Sequence, residues 1–458
     1  MKCDEGKPFC TRCLKWGADC EGYDVQARRS SSARTGFQEI IPKTGRQQTF
    51  ISHPVENPPS TVAFRDNREY LYFLYFQEEA APNISDLFDK DLWRYVIPQA
   101  SWKDPALSGL TVSLGALYKA KSLNSDKLSK EEINIHQQYA FQQFGRSLRL
   151  IQARISTNKY EDITRVALIA SLLIYCFESV HGEPEPALGH LESAFRLMRK
   201  ELTCANRRYE HSKNVSPSLI LDDELVAAFF RLDIVVSSRD QICKARKFSS
   251  RLGINYLEDL CEVPRRFSSI SEARNYLEHI QFVSGPSLSH FLLSMSSAPP
   301  APITINEGFR NMYRSTLTQL CRWNIAFKEY YPGTREQSEN KNFAAAATLR
   351  VRALSTELAT KRVCARELSS CYFYNPECQE IVDLSRLLAS EPSFRKPLVW
   401  DCGIIPGLST VIIVCLEMNL RKEALQILKQ IAPRREGAWD SSTAVQFGES
   451  CWQMNGAS

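Results

Sequence analysis

Four cysteines stand close together at the start of the chain, spaced Cys3-x6-Cys10-x2-Cys13-x6-Cys20 within "KCDEGKPFCTRCLKWGADCEGY". A pair two residues apart can offer both thiolates to one metal from a single turn, and zinc prefers four such ligands in a closed tetrahedron. A segment of about twenty residues has too little core to fold by burial alone. Metal binding would then supply most of its folding free energy, on the order of 10 kcal/mol or more for a structural zinc. Four thiolates around one Zn2+ leave a net charge of roughly −2, which Lys2, Lys7, Arg12 and Lys15 beside the ligands offset. Pro8 stiffens the chain before Cys10, and Gly17 permits a turn before Cys20.

Other chemistry-bearing residues carry weaker patterns. Cys364, Cys371 and Cys378 are spaced by seven, which on one continuous helix places them on one face. Asn375 and Pro376 break that helix, and no C-x2-C pair or nearby histidine supplies a fourth ligand, so half-buried or core thiols are expected. Cys176, Cys243, Cys321 and Cys415 sit in apolar contexts and receive the same assignment. His181 and His190 flank "GEPEP" without metal-ligand spacing. The aromatic run "YLYFLYF", Tyr70 to Phe76, has the spacing of a packed helix face, and "PRREGAWDSS" reads as a connection in which Pro433 ends one helix and Asp440 or Ser441 caps the next. The sequence shows no phosphate-cradling glycine loop, no H-E-x-x-H and no nucleophile elbow, so nothing supports an enzyme.

The elements that must position these residues fall into three regions. The chain has 458 residues, 15 cysteines, 24% charged and 43% hydrophobic residues, and a formal charge of +5. This is the composition of an ordinary globular protein, with a basic balance that permits nucleic-acid binding without requiring it. Residues 1–23 are the cysteine cluster. Residues 24–65, with "RRSSSARTG" and "SHPVENPPST", are expected to form a flexible linker, made basic by Arg28, Arg29, Arg34, Lys43 and Arg46 and lacking the heptads of a coiled coil. Residues 66–458 read as one all-helical domain. Apolar residues recur at three and four positions in "EEINIHQQYAFQQFGRSLRLIQARI" and in 162–180, 184–200, 222–238, 310–330 and 343–369. In "NREYLYFLYFQEEAA" the pattern puts Tyr70, Phe73, Leu74 and Phe76 near one face. Prolines, among them Pro98, Pro105, Pro184, Pro376 and Pro406, punctuate the helices, and alternating strand patterns are nearly absent. Whether the domain divides near 284–304 stays open. The longest apolar run, Val166 to Phe177, is shorter than the ~20 residues of a spanning helix and reads as a buried one. Residues 1–20 hold no apolar leader segment, and the loosely scattered thiols fit a cytosolic or nuclear protein with reduced cysteines.

The cysteine stretch resembles the second two-thirds of the fungal binuclear zinc cluster, which has the form C-x2-C-x6-C-x(5–12)-C-x2-C-x6-C. The family's "KCD" is matched by Lys2-Cys3-Asp4, its loop proline by Pro8 and its closing "C-x-G-Y" by Cys20 to Tyr23. By that match Cys3, Cys10, Cys13 and Cys20 occupy the third to sixth ligand places. The first pair and the basic residues after it are missing. In the family two zinc ions share six cysteines through two bridging sulfurs, the first and fourth; here only the fourth, Cys10, is present, so one ion is expected instead of two. The family's helix near the first cysteines reads CGG-type triplets in the major groove, and of it only Lys2 remains. The resemblance thus implies weak DNA binding, chiefly to phosphates, by Lys2, Lys7, Arg12 and Lys15. Two explanations compete: a start placed too late, with an upstream "C-x2-C-R-x-R-K" segment, or a protein that has lost DNA binding and acts through partners.

Three later segments resemble the helical regulatory region that follows the cluster in many fungal transcription factors. They begin "FDKDLWRYVIPQASWKDPALSG", "ALIASLLIYCFESVHGEPEPALGH" and "VWDCGIIPGLSTVIIVCLEMNL", the last running on through "PRREGAWDS". The expectation is an all-α fold with a small, incomplete zinc module before it, in a nuclear, zinc-dependent transcription factor of RNA polymerase II genes, such as those of a metabolic or secondary-metabolite pathway. Its implied partners are DNA, coregulators and a second copy of the chain. The competing expectation is a regulatory protein-interaction protein that keeps a zinc-cluster remnant without binding DNA.

Overall fold

The computed structural model describes residues 64–455, apart from 86, 89, 123–129, 158–162, 183, 212–220, 243–261, 297–306, 329, 331–342, 368–374, 392–393 and 395. The chain divides into Met1–Ser60 and Thr61–Ser458. The first unit, with the cysteine cluster and most of the expected linker, lies outside the described residues.

The described residues of the second unit are helical but for one small sheet and the connections, as the sequence leads one to expect. Helix α1 (Asn67–Tyr75) starts where Asp66, with extended backbone, accepts the amide of Glu69 at 2.8 Å, an N-cap that satisfies one of the free donors of the first turn. The chain continues through a π-helical turn (Phe76–Ala80) into α2 (Ala81–Ser85), and through a second π-helical turn (Leu92–Val96) into α3 (Ile97–Lys103). Each π turn ends two residues before a proline, Pro82 and Pro98. A proline offers no amide and its ring collides with the carbonyl four residues back. Widening the preceding turn, so that Ala81 bonds to Phe76 and Ile97 to Leu92, re-aims those carbonyls. Pro98 is therefore absorbed within a helical run and does not end one.

Helix α4 (Pro105–Ser122) is almost wholly buried and packs against α1, α5 (Lys130–Thr157) and α6 (Ile163–His181). Helix α6 is long and apolar enough to cross a membrane, but 67% of its apolar window is buried inside the protein; its residues Leu168, Leu172, Leu173 and Cys176 lie at the centre of the core. Helices α7 (Pro184–His211) and α8 (Asp223–Ile242) follow, then α9 (Ile270–Ser296), α10 (Glu307–Phe327), α11 (Phe343–Glu367) and α12 (Asn375–Ser390). Helix α9 continues unbroken through 284–296. Helix α11 turns one face, Val351, Leu354 and Leu358, to the main core. Its other face, Leu349 and Ala353, meets a smaller core with Leu277, Trp323 and Phe327.

The carboxy-terminal part runs β1 (Leu398–Val399), α13 (Ile405–Val414), α14 (Met418–Ile431), β2 (Arg435–Glu436), β3 (Trp439–Asp440) and α15 (Ser441–Asn455). Strand β1 pairs parallel with β2, Leu398 opposite Arg435, and β2 pairs antiparallel with β3, Glu436 opposite Trp439. Each strand is two residues long, too short to show alternation in a sequence.

Candidate functional site

All the residues expected to hold metal or DNA, Cys3, Cys10, Cys13, Cys20, Lys2, Lys7, Arg12 and Lys15, lie outside the described residues. The donor set itself fits zinc: four soft thiolates, two of them in a C-x2-C pair, complete one tetrahedron. Among the described residues no group of histidine, cysteine and carboxylate side chains could hold a metal ion.

Among the described residues, two buried charge clusters stand out that no sequence pattern announces. In the first, "PRREGAWDS" folds into the β2–β3 hairpin, and Glu436 becomes its hub. The Glu436 carboxylate accepts from Arg434 Nε at 2.8 Å and from the backbone amides of Gly403 at 3.0 Å and Ile405 at 2.9 Å. Those amides open α13, so the carboxylate also faces the positive end of that helix. Gly403 leaves the space that the carboxylate fills, because a Cβ there would collide with it. Arg434 donates further to the Phe394 carbonyl and stacks over the Phe394 ring at 3.8 Å. Pro433 does follow the end of α14, and Asp440 does cap α15, accepting the Thr443 amide at 2.8 Å. Ser441 accepts the Arg434 amide instead, at 2.9 Å.

The hairpin is tied to the amino-terminal half. Tyr175 on α6 donates to the Gly437 carbonyl at 2.8 Å, and Trp400 donates its amide to the Ile84 carbonyl at 2.8 Å. The Trp400 ring meets Trp93 edge-on at 5.5 Å and Tyr175 at 5.9 Å. Gly437 has φ +53, a left-handed turn position that glycine adopts without steric cost.

The second cluster centres on Glu278 of α9. It receives Arg274 at 2.8 Å from its own helix and Arg231 at 3.0 Å from α8, with Arg352 of α11 at 3.6 Å. Asp401, beside the sheet, pairs with Arg274 at 2.8 Å and Arg352 at 3.4 Å. Gln281 accepts from Arg352 at 2.8 Å and donates to Thr356 at 3.0 Å. Burial alone would push the Glu278 carboxyl up, but Arg274, Arg231 and Arg352 outweigh it and hold it down at about 2. The cluster joins α8, α9, α11 and the loop after β1 through side chains that reach across the interior.

The scattered residues land as follows. Cys176, Cys378 and Cys415 are buried, as expected, whereas Cys321 is exposed. Its neighbours Leu320 and Trp323 face the smaller core, and one helical step from Leu320 carries Cys321 round to solvent. Cys364 and Cys371 are among the residues whose side chains the structure does not describe, as is Cys243. Cys378 and Cys415 hydrogen-bond to one another, which raises the Cys378 thiol and lowers that of Cys415. His181 is exposed and edge-on to Phe141 at 4.8 Å, and His190 Nε2 lies 3.8 Å from Glu178. The aromatic run is core: Phe73 and Phe76 are buried as expected and Leu74 is half-buried, but the buried face is turned toward Tyr72 and away from Tyr70. Tyr72, Phe73 and Phe76 are buried while Tyr70 is 39% exposed.

Comparison with known proteins agrees with this architecture. Residues 1–30 match the fungal Zn(2)-Cys(6) binuclear cluster domain, with four cysteines where the family's name counts six. Residues 70–221, from α1 to the start of α8, match the fungal specific transcription factor domain. The chain is similar to the aspercryptin biosynthesis cluster-specific transcription regulator of Emericella nidulans, 21% identical over 43% of this chain and 32% of that protein. It is also similar to a Zn(2)-C6 fungal-type transcription factor of Aspergillus fumigatus, 24% identical over 38% of this chain and 43% of that protein. The chain thus spans less than half the length of each of these relatives. No solved structure matches it. Zinc is the cofactor that the cluster domain implies, and the families matched are transcription factors, not enzymes. The cluster domain and the fungal regulatory domain thus follow one another along a single chain, and over those two stretches it is similar to the fungal zinc-cluster transcription factors.

Proposed function

We propose that the chain is a nuclear, sequence-specific regulator of RNA polymerase II transcription that docks on CGG-type DNA through its zinc module. In this reading Cys3, Cys10, Cys13 and Cys20 hold one zinc ion, whose binding supplies the folding free energy of residues 1–23. Lys2, Lys7, Arg12 and Lys15 contact phosphates. Residues 24–65 tether the module, and the helical body from residue 66 receives coregulators or a second copy of the chain. The observation that carries the reading is the order of the two domain matches, cluster first and regulatory domain second. One relative is named as the regulator of a biosynthetic cluster, which favours the genes of a secondary-metabolite pathway as targets here.

Metal analysis and gel-shift titration test it. The purified chain should carry about one zinc per molecule, since four thiolates complete one tetrahedron, and Cys13→Ser should lose it. Binding to a CGG-containing duplex should be weak and should weaken steeply with salt, because the basic residues present reach phosphates. Zinc bound without any DNA affinity would turn the assignment to a protein-interaction regulator. A chain with no zinc and no DNA affinity would overturn both.

A further inference from the structure

Cys378 and Cys415 are far apart in sequence and side by side in the fold. Cys378 lies on the first turn of α12, and Cys415 closes α13 as its C-cap, with extended backbone. The Cys415 sulfur comes up against that first turn. It lies 4.0 Å from Oδ1 of Asn375, three residues before Cys378, and hydrogen-bonds to Cys378 itself. Both thiols are free of disulfides. Among the described residues no third histidine, cysteine or carboxylate joins them into a metal site.

Buried cysteines ordinarily serve as small apolar residues. Cys176 fits that description: it sits at the centre of the core, and burial raises its thiol. Two features set the other pair apart. The first is the uneven sharing of protons. Cys378 keeps its proton and donates it to Cys415, and this hydrogen bond, together with burial, raises the Cys378 thiol. The same bond outweighs burial at Cys415 and lowers it to about 7. The first turn of α12 adds to the effect, since the free amides of a helix start favour a negative sulfur. The second feature is location. Cys415 opens the short connection between α13 and α14, whose next residues, Leu416 and Glu417, are exposed. The sulfur is thus one residue from solvent, although Cys415 itself is only 3% exposed. A reagent hardly larger than water can reach it where a bulky one cannot.

We propose that Cys378 and Cys415 are a redox-sensitive pair that a hydroperoxide converts to a disulfide, tying the first turn of α12 to the end of α13. The Cys415 thiolate attacks the terminal oxygen of the hydroperoxide. An S–O bond forms as the O–O bond breaks, and the departing alkoxide takes up a proton to become the alcohol, or water where the oxidant is hydrogen peroxide. The Cys378 sulfur then attacks the sulfur of the sulfenic acid so formed. The S–S bond forms, the S–O bond breaks, and hydroxide leaves with the Cys378 proton as water. Two thiols lose two electrons and two protons in all, and one hydroperoxide becomes one alcohol and one water. Excess thiol reverses the step by exchange. The bond pins the connection from which α14 departs, and the inference depends on neither zinc nor DNA binding.

The test treats the full chain with hydrogen peroxide at several pH values, blocks the remaining thiols with N-ethylmaleimide and digests it without reduction. Mass spectrometry should find the peptides that hold Cys378 and Cys415 joined, and dithiothreitol should separate them. The rate of joining should be half-maximal near pH 7. Cys378→Ala should leave Cys415 as a sulfenic acid that dimedone traps, with the midpoint moved toward 9.0, the ordinary thiol value. Cys415→Ala should leave Cys378 reduced. Circular dichroism checks that each variant keeps its helices. Two results on the native chain would overturn the proposal whether or not a variant folds. One is Cys378 and Cys415 both still reduced when the exposed Cys321 is fully oxidised, which would leave them as core thiols. The other is either cysteine joined in preference to a different partner.

Discussion

Arg434 and Glu436, two residues apart at the start of the hairpin, form an ion pair at 2.8 Å with side-chain exposures of 2% and 0%. A pair so deeply buried gives up hydration on both partners. What offsets that loss is the number of further bonds each makes: the Phe394 carbonyl and ring for Arg434, the Gly403 and Ile405 amides for Glu436. The pair thereby fixes three things at once, the hairpin, the start of α13 and the turn after α12.

Removing one partner should therefore cost far more than the pair itself contributes. Glu436→Ala leaves a guanidinium and two helix-opening amides without their acceptor, and the body should lose about 3–5 kcal/mol. Chemical denaturation followed by tryptophan fluorescence reads this, because Trp400 and Trp93 pack beside the sheet. Gly403→Ala should act in the same direction through the collision of its Cβ with the Glu436 carboxylate, at about 1–3 kcal/mol. A Glu436→Ala loss below that of a typical surface substitution would show that water enters and satisfies Arg434.

Acid should attack the second cluster in a defined window. Glu278 has its carboxyl held down from 4.5 to about 2 by Arg274, Arg231 and Arg352. The unfolded chain binds the proton first as pH falls, so the stabilisation is fully present above about pH 4.5 and is lost progressively down to about pH 2. Glu278→Gln should lower stability at neutral pH and flatten the dependence of unfolding free energy on pH within that window. Parallel pH profiles for the two proteins would show that other carboxylates carry the acid response.

These clusters mark the limit of what the sequence shows. The helices are legible because burial repeats every three or four residues along a segment, as in Val166 to Phe177 of α6. Glu278 has no such signature. Its partners Arg231 and Arg352 come from other helices, and Arg231 alone is 47 positions away. The sheet is hidden for a different reason, since two-residue strands carry no period. The phase of α1 was obscured by a charge: Glu69 lies on the buried face with Tyr72, Phe73 and Phe76, where it accepts from the Arg65 amide at 2.8 Å and from Arg65 Nε at 2.6 Å. A glutamate at a core position makes the neighbouring stripe through Tyr70 look like the buried one.

Thiol labelling should separate the described cysteines by access. Cys321 is exposed, whereas Cys176, Cys378 and Cys415 are buried. Brief treatment of the native protein with iodoacetamide, followed by peptide mass spectrometry, should modify Cys321 first among these four. Cys415 is the informative contrast, because its hydrogen bond with Cys378 lowers its thiol to about 7 and so favours the reactive thiolate. If it labels as fast as Cys321 in the native state, the end of α13 must open readily. Protection until denaturant is added is the expected result.

The contact between Tyr175 and Gly437 joins α6 to the hairpin across 262 positions of sequence, and it can be removed in two ways. Tyr175→Phe keeps the ring against Trp400 and deletes only the hydroxyl, leaving a buried carbonyl without its donor; the expected loss is about 1–2 kcal/mol. Gly437→Ala adds left-handed backbone strain and brings a Cβ within 2.8 Å of Val235 Cγ1 and 3.3 Å of the Trp400 carbonyl. It should cost more than the tyrosine change and displace the hairpin from both α6 and α8. If the hairpin is displaced, the hydroxyl of Tyr175 no longer reaches Gly437, so the two losses should not add. A double mutant no less stable than Gly437→Ala alone is the expected outcome. Strict additivity in denaturation would mean that the hairpin holds its place through the Arg434–Glu436 pair and the β1 strand alone.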